Sequence, residues 1–199
     1  MAVKGRVGSR VSLRYRLPEG QTEAFTDVVG HLEALTPMVV VCTKSGERVQ
    51  LSPDDVISVR ELSYVPVRNS QIRDLERTAA LARPAAEQCW LAGWLLRADP
   101  QGTDLRSNSA APLDISAGLD ALADIIAWYG GRGRQPWLDL PERLLPVRAA
   151  GVAPSRMLVD AAGEYVRVPD DDLAAIERYE SMGYRLHHRA RYVLASDLI

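Results

Sequence analysis

Tyr165-Val166-Arg167-Val168-Pro169-Asp170-Asp171-Asp172-Leu173-Ala174-Ala175-Ile176-Glu177-Arg178-Tyr179-Glu180-Ser181-Met182-Gly183-Tyr184-Arg185-Leu186-His187-His188-Arg189-Ala190-Arg191-Tyr192-Val193-Leu194 is the stretch whose reading decides the fold. Tyr165 to Val168 reads as a short strand. Asp170 to Asp172 form an acidic turn, where carboxylates suit the unpaired N–H groups and the dipole of a helix start. Leu173, Ile176, Tyr179 and Met182 recur at near-helical spacing, and Gly183 supplies a C-terminal stop. Arg185 to Leu194 then closes as a strand. On that strand alternation sends His187 and His188 to opposite faces and puts Arg185, Arg189 and Arg191 on one face, a basic stripe that could meet a phosphate, a nucleic acid or an acidic partner, with a solvated edge as the ordinary explanation. One imidazole could serve as a general base because it titrates near neutrality; solvent-facing structural histidines are the alternative.

Upstream, Gly8 to Pro66 reads as strands. Val11, Leu13 and Tyr15 alternate with polar neighbours, Pro18-Glu19-Gly20 supplies turn chemistry, and Phe25 to Leu35 is a second strand. In that second strand Gly30 marks a bulge or a close approach. Val39 to Cys42, a turn at Lys44-Ser45-Gly46-Glu47, Arg48 to Leu51 and Val56 to Glu61 complete five short strands. Five strands in so short a segment point to a small β-barrel over residues 1–67, of the SH3-like type in preference to the OB-like. Ile72, Leu75, Ala79 and Ala82 predict a connecting helix within 68–84, stopped by Pro84, with a flexible linker as the alternative.

Residues 85–199 read as a mixed α/β domain, so the fold class is α+β. Cys89 to Arg97 is largely apolar, Asp99 to Pro112 is a polar loop, and Leu119 to Tyr129 is an amphipathic helix closed by Gly130-Gly131. Trp137 to Leu145 is interrupted by proline, and the segment between Ala98 and Leu144 offers little room for central strands.

Composition bounds the function. Of 199 residues, 47% are hydrophobic and 25% charged, and the net charge of −2 creates no field that would draw the chain to nucleic acid or anionic lipid. A single phenylalanine leaves no base-stacking platform, so nucleic-acid binding is not expected. No secretory leader and no apolar run of about 18 residues is found, which points to a cytoplasmic location and no membrane partner. Cys42 and Cys89 fit reduced, buried thiols, and no metal site is expected.

Four stretches, in order, carry a family resemblance. They are Val7 to Val11 with Thr26 to Gly30; Trp94 to Ala98 followed by Arg106 to Leu113; Ala127 to Gly133; and Tyr179 to Tyr184 with His187-His188-Arg189. Together they resemble an actinobacterial group of GCN5-related N-acetyltransferases (GNAT) that place an SH3-like barrel before the acetyltransferase part. Their terminal motif is Asn-x-x-Ala-x-x-x-Tyr-Glu-x-x-Gly-Phe; here Asp172 replaces the asparagine and Tyr184 the phenylalanine. The resemblance implies acetyl transfer from acetyl-CoA to a primary amine, on a protein lysine or a small molecule. It also implies that Tyr179 protonates the departing thiolate, with Asp172 near the cofactor; the helical spacing by itself makes Tyr179 a core aromatic on the buried face of its helix.

The family binds the pyrophosphate of acetyl-CoA at an Arg/Gln-x-x-Gly-x-Gly/Ala turn opening a helix. Arg148-Ala149-Ala150-Gly151-Val152-Ala153 fits that pattern, which makes Arg148, Gly151 and Ala153 the candidate cofactor residues and Ser155 to Ala162 the expected helix. A plain loop is the alternative, and Gly130-Gly131-Arg132-Gly133 is a weaker cradle because it follows a helix. An abridged acetyltransferase domain with a degenerate or missing cofactor loop is thus expected. The competing function is a non-catalytic interaction module with the barrel available to a protein partner. A sheet shortened in this way would leave an edge for a homodimer to complete.

Overall fold

The computed structural model describes residues 5–18, 20–21 and 23–199, and the chain divides into two compact units, Met1–Pro66 and Val67–Ile199. In the first unit, β1 (Arg10–Arg16), β2 (Phe25–Ala34), β3 (Val39–Thr43), β4 (Arg48–Leu51) and β5 (Val56–Glu61) form one antiparallel sheet in the order β4-β3-β2-β1-β5. Period-two alternation sends Val11, Leu13, Val28, Leu32, Val39 and Val41 into one buried cluster while their neighbours face out. The β3–β4 turn is made where the sequence predicts it. Gly46 adopts φ +87°, and the Thr43 amide donates to the Glu47 carbonyl at 2.8 Å. The turn expected at Pro18-Glu19-Gly20 includes Glu19, which lies outside the described residues.

Gly30 is a close approach. A Cβ there would collide with the Cys42 carbonyl oxygen and lie 2.7 Å from the carbonyl carbon, because β2 and β3 pair at Gly30 and Thr43.

The second unit opens with α1 (Asn69–Leu81), started by the Arg68 amide donating to the Gln71 side chain at 2.8 Å. Ile72 of α1 is fully buried with Val67 and Leu144, so the predicted connecting helix is a structural layer of this unit. The strands are β6 (Glu87–Leu91), β7 (Trp94–Ala98), β8 (Ala110–Pro112), β9 (Trp137–Pro141), β10 (Val152–Val159), β11 (Tyr165–Pro169) and β12 (Arg185–Leu194). They form a seven-stranded sheet in the order β11-β10-β12-β9-β8-β7-β6. Two helices follow α1: α2 (Leu122–Gly130) and α3 (Leu173–Ser181).

The segment expected to have little room for central strands holds two of them. β8 and β9 run parallel, joined through α2, and pair at Ala110 and Leu138. The apolar Cys89–Arg97 stretch is a hairpin whose turn residues, Ala92 and Gly93, both have positive φ (45° and 84°). The helix expected at Ser155 to Ala162 is strand β10 instead. Its side chains alternate between Ser155 and Met157 on one face and Arg156 and Leu158 on the other, a period of two that the Ala- and Pro-rich approach to it obscures. Strand β12 lies inside the sheet between β9 and β10, so its arginines do not form an exposed edge.

Helix α2 covers one face of the sheet, packing Leu122, Ile125 and Tyr129 on Trp94, Leu96, Leu138 and Val193. The Tyr129 hydroxyl donates to the Arg97 carbonyl at 3.0 Å, and burial raises the phenol's pKa, which keeps it a donor. Helix α3 packs Ile176 with Leu158, Val168 and Leu186 in a satellite cluster. No helix among the described residues is long and apolar enough to cross a membrane. Cys42 and Cys89 are free and half-buried, more open than the burial expected of them.

Gly30→Ala forces backbone against backbone, where nothing flexible can yield. It is expected to lower stability by about 1–3 kcal/mol, read as a lower urea midpoint of the first unit's transition. An unchanged midpoint would show that β2 and β3 can separate at no cost.

Candidate functional site

The sheet face opposite α2 carries charge where a core would ordinarily be apolar. Four strands and α1 each contribute one side chain at a position facing this layer: Arg97 on β7, Asp139 on β9, His188 on β12, Arg167 on β11 and Glu76 on α1. Glu76, Arg97, Asp139 and His188 are each at most 5% exposed, and the Arg167 side chain is 7% exposed.

Arg167 is the hub. Its Nη1 donates to both Asp139 oxygens, at 3.0 and 2.8 Å, and its Nη2 pairs with Glu76 Oε1. Arg97 Nη2 lies 4.0 Å from Asp139 Oδ2. Burial opposes ionisation of Glu76, but the Arg167 charge and the hydrogen bond and charge of His188 outweigh it and hold the carboxyl at about 2. For Asp139, burial dominates and pushes the pKa up against the pull of Arg167.

A chain of rings leads out of this layer. His188 Nε2 donates to Glu76 Oε1 at 2.7 Å, and His188 Nδ1 lies 2.7 Å from His187 Nδ1. Where His188 carries its hydrogen on Nε2 alone, His188 Nδ1 accepts from His187 Nδ1–H, leaving the lone pair of His187 Nε2 as the outer end. Burial, the neighbouring His188 and Arg143 push the His187 pKa down to about 4 against the pull of Glu76, so the half-buried ring is neutral at physiological pH.

Alternation places the two histidines on opposite faces, and the backbone explains why they touch instead. The β10–β12 ladder shifts between Met157, opposite His188, and Leu158, opposite Leu186. His187 is the extra residue of a bulge, which re-aims its ring beside that of its neighbour, with ring centroids 5.0 Å apart. The same shift divides the predicted arginine stripe. Arg185 pairs with Val159 and Arg189 with Arg156, three positions away on β10, so the two arginines stand on opposite faces.

A cleft of about 460 Å³ opens beside this layer, lined by Arg106, Ser155, Arg167 and Tyr192 with Pro154 and Pro169 as apolar walls. Of the residues predicted from sequence, Ala153 lines this cleft, with φ +45°. Gly151 stands just before β10, where a Cβ would lie 2.7 Å from Arg191 Cγ and 2.9 Å from the Tyr192 carbonyl oxygen. Its bare Cα therefore admits the neighbouring strand. Arg148 is exposed in the preceding loop. Asp172 caps α3 by accepting from the Ala175 amide at 3.0 Å. Tyr179 packs in the α3 cluster edge-to-face with Tyr184, on the face of the sheet away from Arg167, so the candidate acid and the candidate cofactor residues are not brought together. The amides of Gly131, Arg132, Gly133 and Arg134 all donate to carbonyls of α2, so these four donors of the glycine-rich loop are already spent within the fold.

Sequence reading missed Glu76, Arg97, Arg106, Asp139 and Arg167. A usable signal was present: Asp139 stands between Leu138 and Leu140, Arg167 between Val166 and Val168, and Glu76 on the apolar stripe of α1 with Ile72, Ala79 and Ala80. A lone charge inside an apolar pattern is a candidate for a buried pair.

Arg167→Met strands two buried carboxylates and is expected to cost about 3–5 kcal/mol, measured by denaturant unfolding; a cost under about 1 kcal/mol would place the pair in solvent. For His187, the unfolded ring takes a proton near 6.5 and the folded ring near 4. Stability is therefore present above 6.5 and falls as pH drops towards 4, with Glu76 extending the loss from 4.5 towards 2 while Asp139 works in the opposite sense. His187→Asn is expected to flatten the upper part of that curve, and an unchanged slope would count against the depressed pKa.

Comparison with known proteins follows the division into two units. Residues 5–60 match the family described as "Rv0428c N-terminal Sm-like domain", and residues 69–164 match "Probable histone acetyltransferase Rv0428c C-terminal". The small front sheet is thus Sm-like, a description only loosely equivalent to the SH3-like barrel expected. No solved structure matches the chain. Over 187 residues, 92% of this chain, it is 45% identical to "Probable histone acetyltransferase Rv0428c" of Mycobacterium tuberculosis, and it spans about 60% of that relative's length. The chain is a homologue of that protein, with an N-terminal Sm-like domain followed by a mixed α/β unit.

Proposed function

We propose that the chain is a cytoplasmic N-acetyltransferase of the GNAT type, taking the acetyl group from acetyl-CoA and passing it to a primary amine of a protein lysine or a small molecule. The observation that carries this reading is the extended likeness to a protein named a probable histone acetyltransferase. The geometry adds a device that such a reaction needs. An amine must lose a proton to become and remain acylated, and a neutral imidazole backed by a carboxylate can take it. His187 Nε2 accepts the proton, His187 Nδ1–H passes its own to His188 Nδ1, and His188 Nε2–H is held by the Glu76 carboxylate. The departing thiolate needs one proton in return, and the Tyr179 hydroxyl is the donor that the family resemblance offers.

The fit to the donor's phosphates is poor where the sequence motif put it. Arg148 to Ala153 lead into strand β10, so there is no helix N-terminus with outward N–H groups, and the space beside Gly151 is filled by Arg191. Any contact Arg148 makes with a phosphate comes from its own exposed guanidinium. That same observation favours a second reading, a non-catalytic module that keeps the fold and binds a partner.

The discriminating experiment follows thiol release from acetyl-CoA with a lysine-rich peptide and a short diamine as acceptors, alongside calorimetric titration of acetyl-CoA. Turnover that falls about 10²-fold or more in His188→Gln, with acetyl-CoA affinity unchanged, supports the transferase and its relay; Tyr179→Phe tests the acid separately. Neither release above the uncatalysed rate nor binding at millimolar acetyl-CoA would overturn the enzyme reading in favour of the binding module.

A further inference from the structure

The cleft beside the buried charge layer brings arginines and a buried hydroxyl to one opening. It forms where the β10–β12 ladder is interrupted between Val152 and Ser155, with Ala153 at positive φ and Pro154 lacking an N–H. The interruption leaves Ser155 facing the opening. Its side chain is buried, the residue being 8% exposed, and its hydroxyl has no hydrogen-bond partner. A buried hydroxyl without a partner is costly, and in a cleft it marks a position that a ligand atom can satisfy.

The electrostatics give the sign of that ligand. Arg167 uses Nη1 and Nη2 on Asp139 and Glu76, but its buried Nε–H is unpaired. Arg106 is half-buried in the loop before β8, lines the cleft, and is paired with no carboxylate among the described residues. Burial lowers its pKa, and the positive charges of Arg167 and Arg83 push the same way. Three guanidiniums, Arg97, Arg106 and Arg167, thus meet only two buried carboxylates, Glu76 and Asp139, and Arg106 is the one left without a counter-ion among these five. The Tyr192 phenol, also lining the cleft, is kept protonated by burial and by the Asp139 charge. Asp171 stands exposed at the rim, the one carboxylate among the described residues that line the cleft.

We propose that this cleft is a binding site for the carboxylate or phosphate group of a small molecule. Arg106 supplies the charge, Ser155 Oγ–H, Arg167 Nε–H and Tyr192 Oη–H are the available donors, and the apolar body of the ligand rests on Pro154 and Pro169. A volume of about 460 Å³ suits a small metabolite rather than a folded partner. The proposal does not depend on acetyl transfer, because it concerns an anion and not a thioester.

The test is an NMR titration of the wild-type chain with inorganic phosphate and, separately, acetate, at constant ionic strength against chloride, following the arginine Nε–H resonances. Saturable shifts at Arg106 and Arg167 are expected. Arg106→Gln should weaken the binding about tenfold, the loss of one charge-assisted hydrogen bond, and Ser155→Ala several-fold, while Arg14→Gln, at an exposed arginine that does not line the cleft, leaves it unchanged. Arg106 has no internal carboxylate to lose, so the variant should keep the wild-type urea midpoint, and that midpoint is measured alongside. Tighter binding of phosphate or of acetate names the anion. Adding acetyl-CoA then separates the sources: displacement makes the anion part of the acetyl donor, and its absence assigns the cleft to another molecule. Shifts that follow chloride, or that are the same in Arg106→Gln, would overturn the proposal.

Discussion

Arg167 and its two carboxylates are the constraint around which the second unit is arranged. The guanidinium comes from β11 at one margin of the sheet, Asp139 from β9 nearer its centre, and Glu76 from a helix 91 residues earlier. A hydrophobic contact would tolerate a slipped strand or a rotated helix. A planar fork with two acceptors does not, because a displaced partner leaves a charge in a medium that cannot solvate it. The layer therefore fixes the rotation of α1 over the sheet and the order of the strands beneath it, at a desolvation cost that an apolar core would not carry. Cores that accept such a cost commonly do so where the charges are used.

Two irregularities in one ladder convert that layer into something accessible. Strand β12 pairs with β10 on one side and β9 on the other, and only the β10 side is interrupted, near each end. At one interruption His187 is pushed out of alternation and its ring meets His188, which links a half-buried imidazole to the buried Glu76. At the other, Ala153 and Pro154 leave the ladder and open the cleft over Arg167, Ser155 and Tyr192. Both openings reach the same charge network from opposite ends of a strand pair. A regular ladder would have placed the histidines on separate faces and closed the cleft.

Much of the fold was legible because much of it obeys simple periods. The five strands of the first unit, the amphipathic α2 and the α3 cap at Asp172 follow from alternation, helical spacing and turn chemistry. The failures share a cause. Arg148 to Ala162 carries glycine, proline and alanine in a pattern that suits a phosphate-binding turn, and the local composition does not reveal that Arg191 and Tyr192 of a distant strand fill that space. The histidine geometry depends on a register shift, which is set by pairing across the sheet and leaves no local mark. The buried charges were visible as isolated ionisable residues in apolar surroundings, but their partners lie tens of residues away, so only the pairing gives them meaning.

The terminal motif and the cleft stand in contrast. The terminal motif is present apart from Asp172 in place of its asparagine and Tyr184 in place of its phenylalanine, yet its conspicuous residues each serve the local structure. Tyr179 and Tyr184 pack on each other, Gly183 takes φ +96° to end the helix, and Asp172 begins it. A motif can survive because it builds a helix and its exits, independently of the chemistry with which it is associated. Two of the buried unpaired donors, Ser155 Oγ–H and Arg167 Nε–H, line one cleft with Arg106 on the opposite face, and none of these residues belongs to that motif. Residues that a fold needs are already satisfied within it, whereas residues that a ligand needs are left with bonding capacity unused. By that criterion the unused bonding capacity lies with the buried charge layer and its two openings, while the terminal helix, whatever chemistry Tyr179 adds, also packs against β11 and β12 from the other face of the sheet.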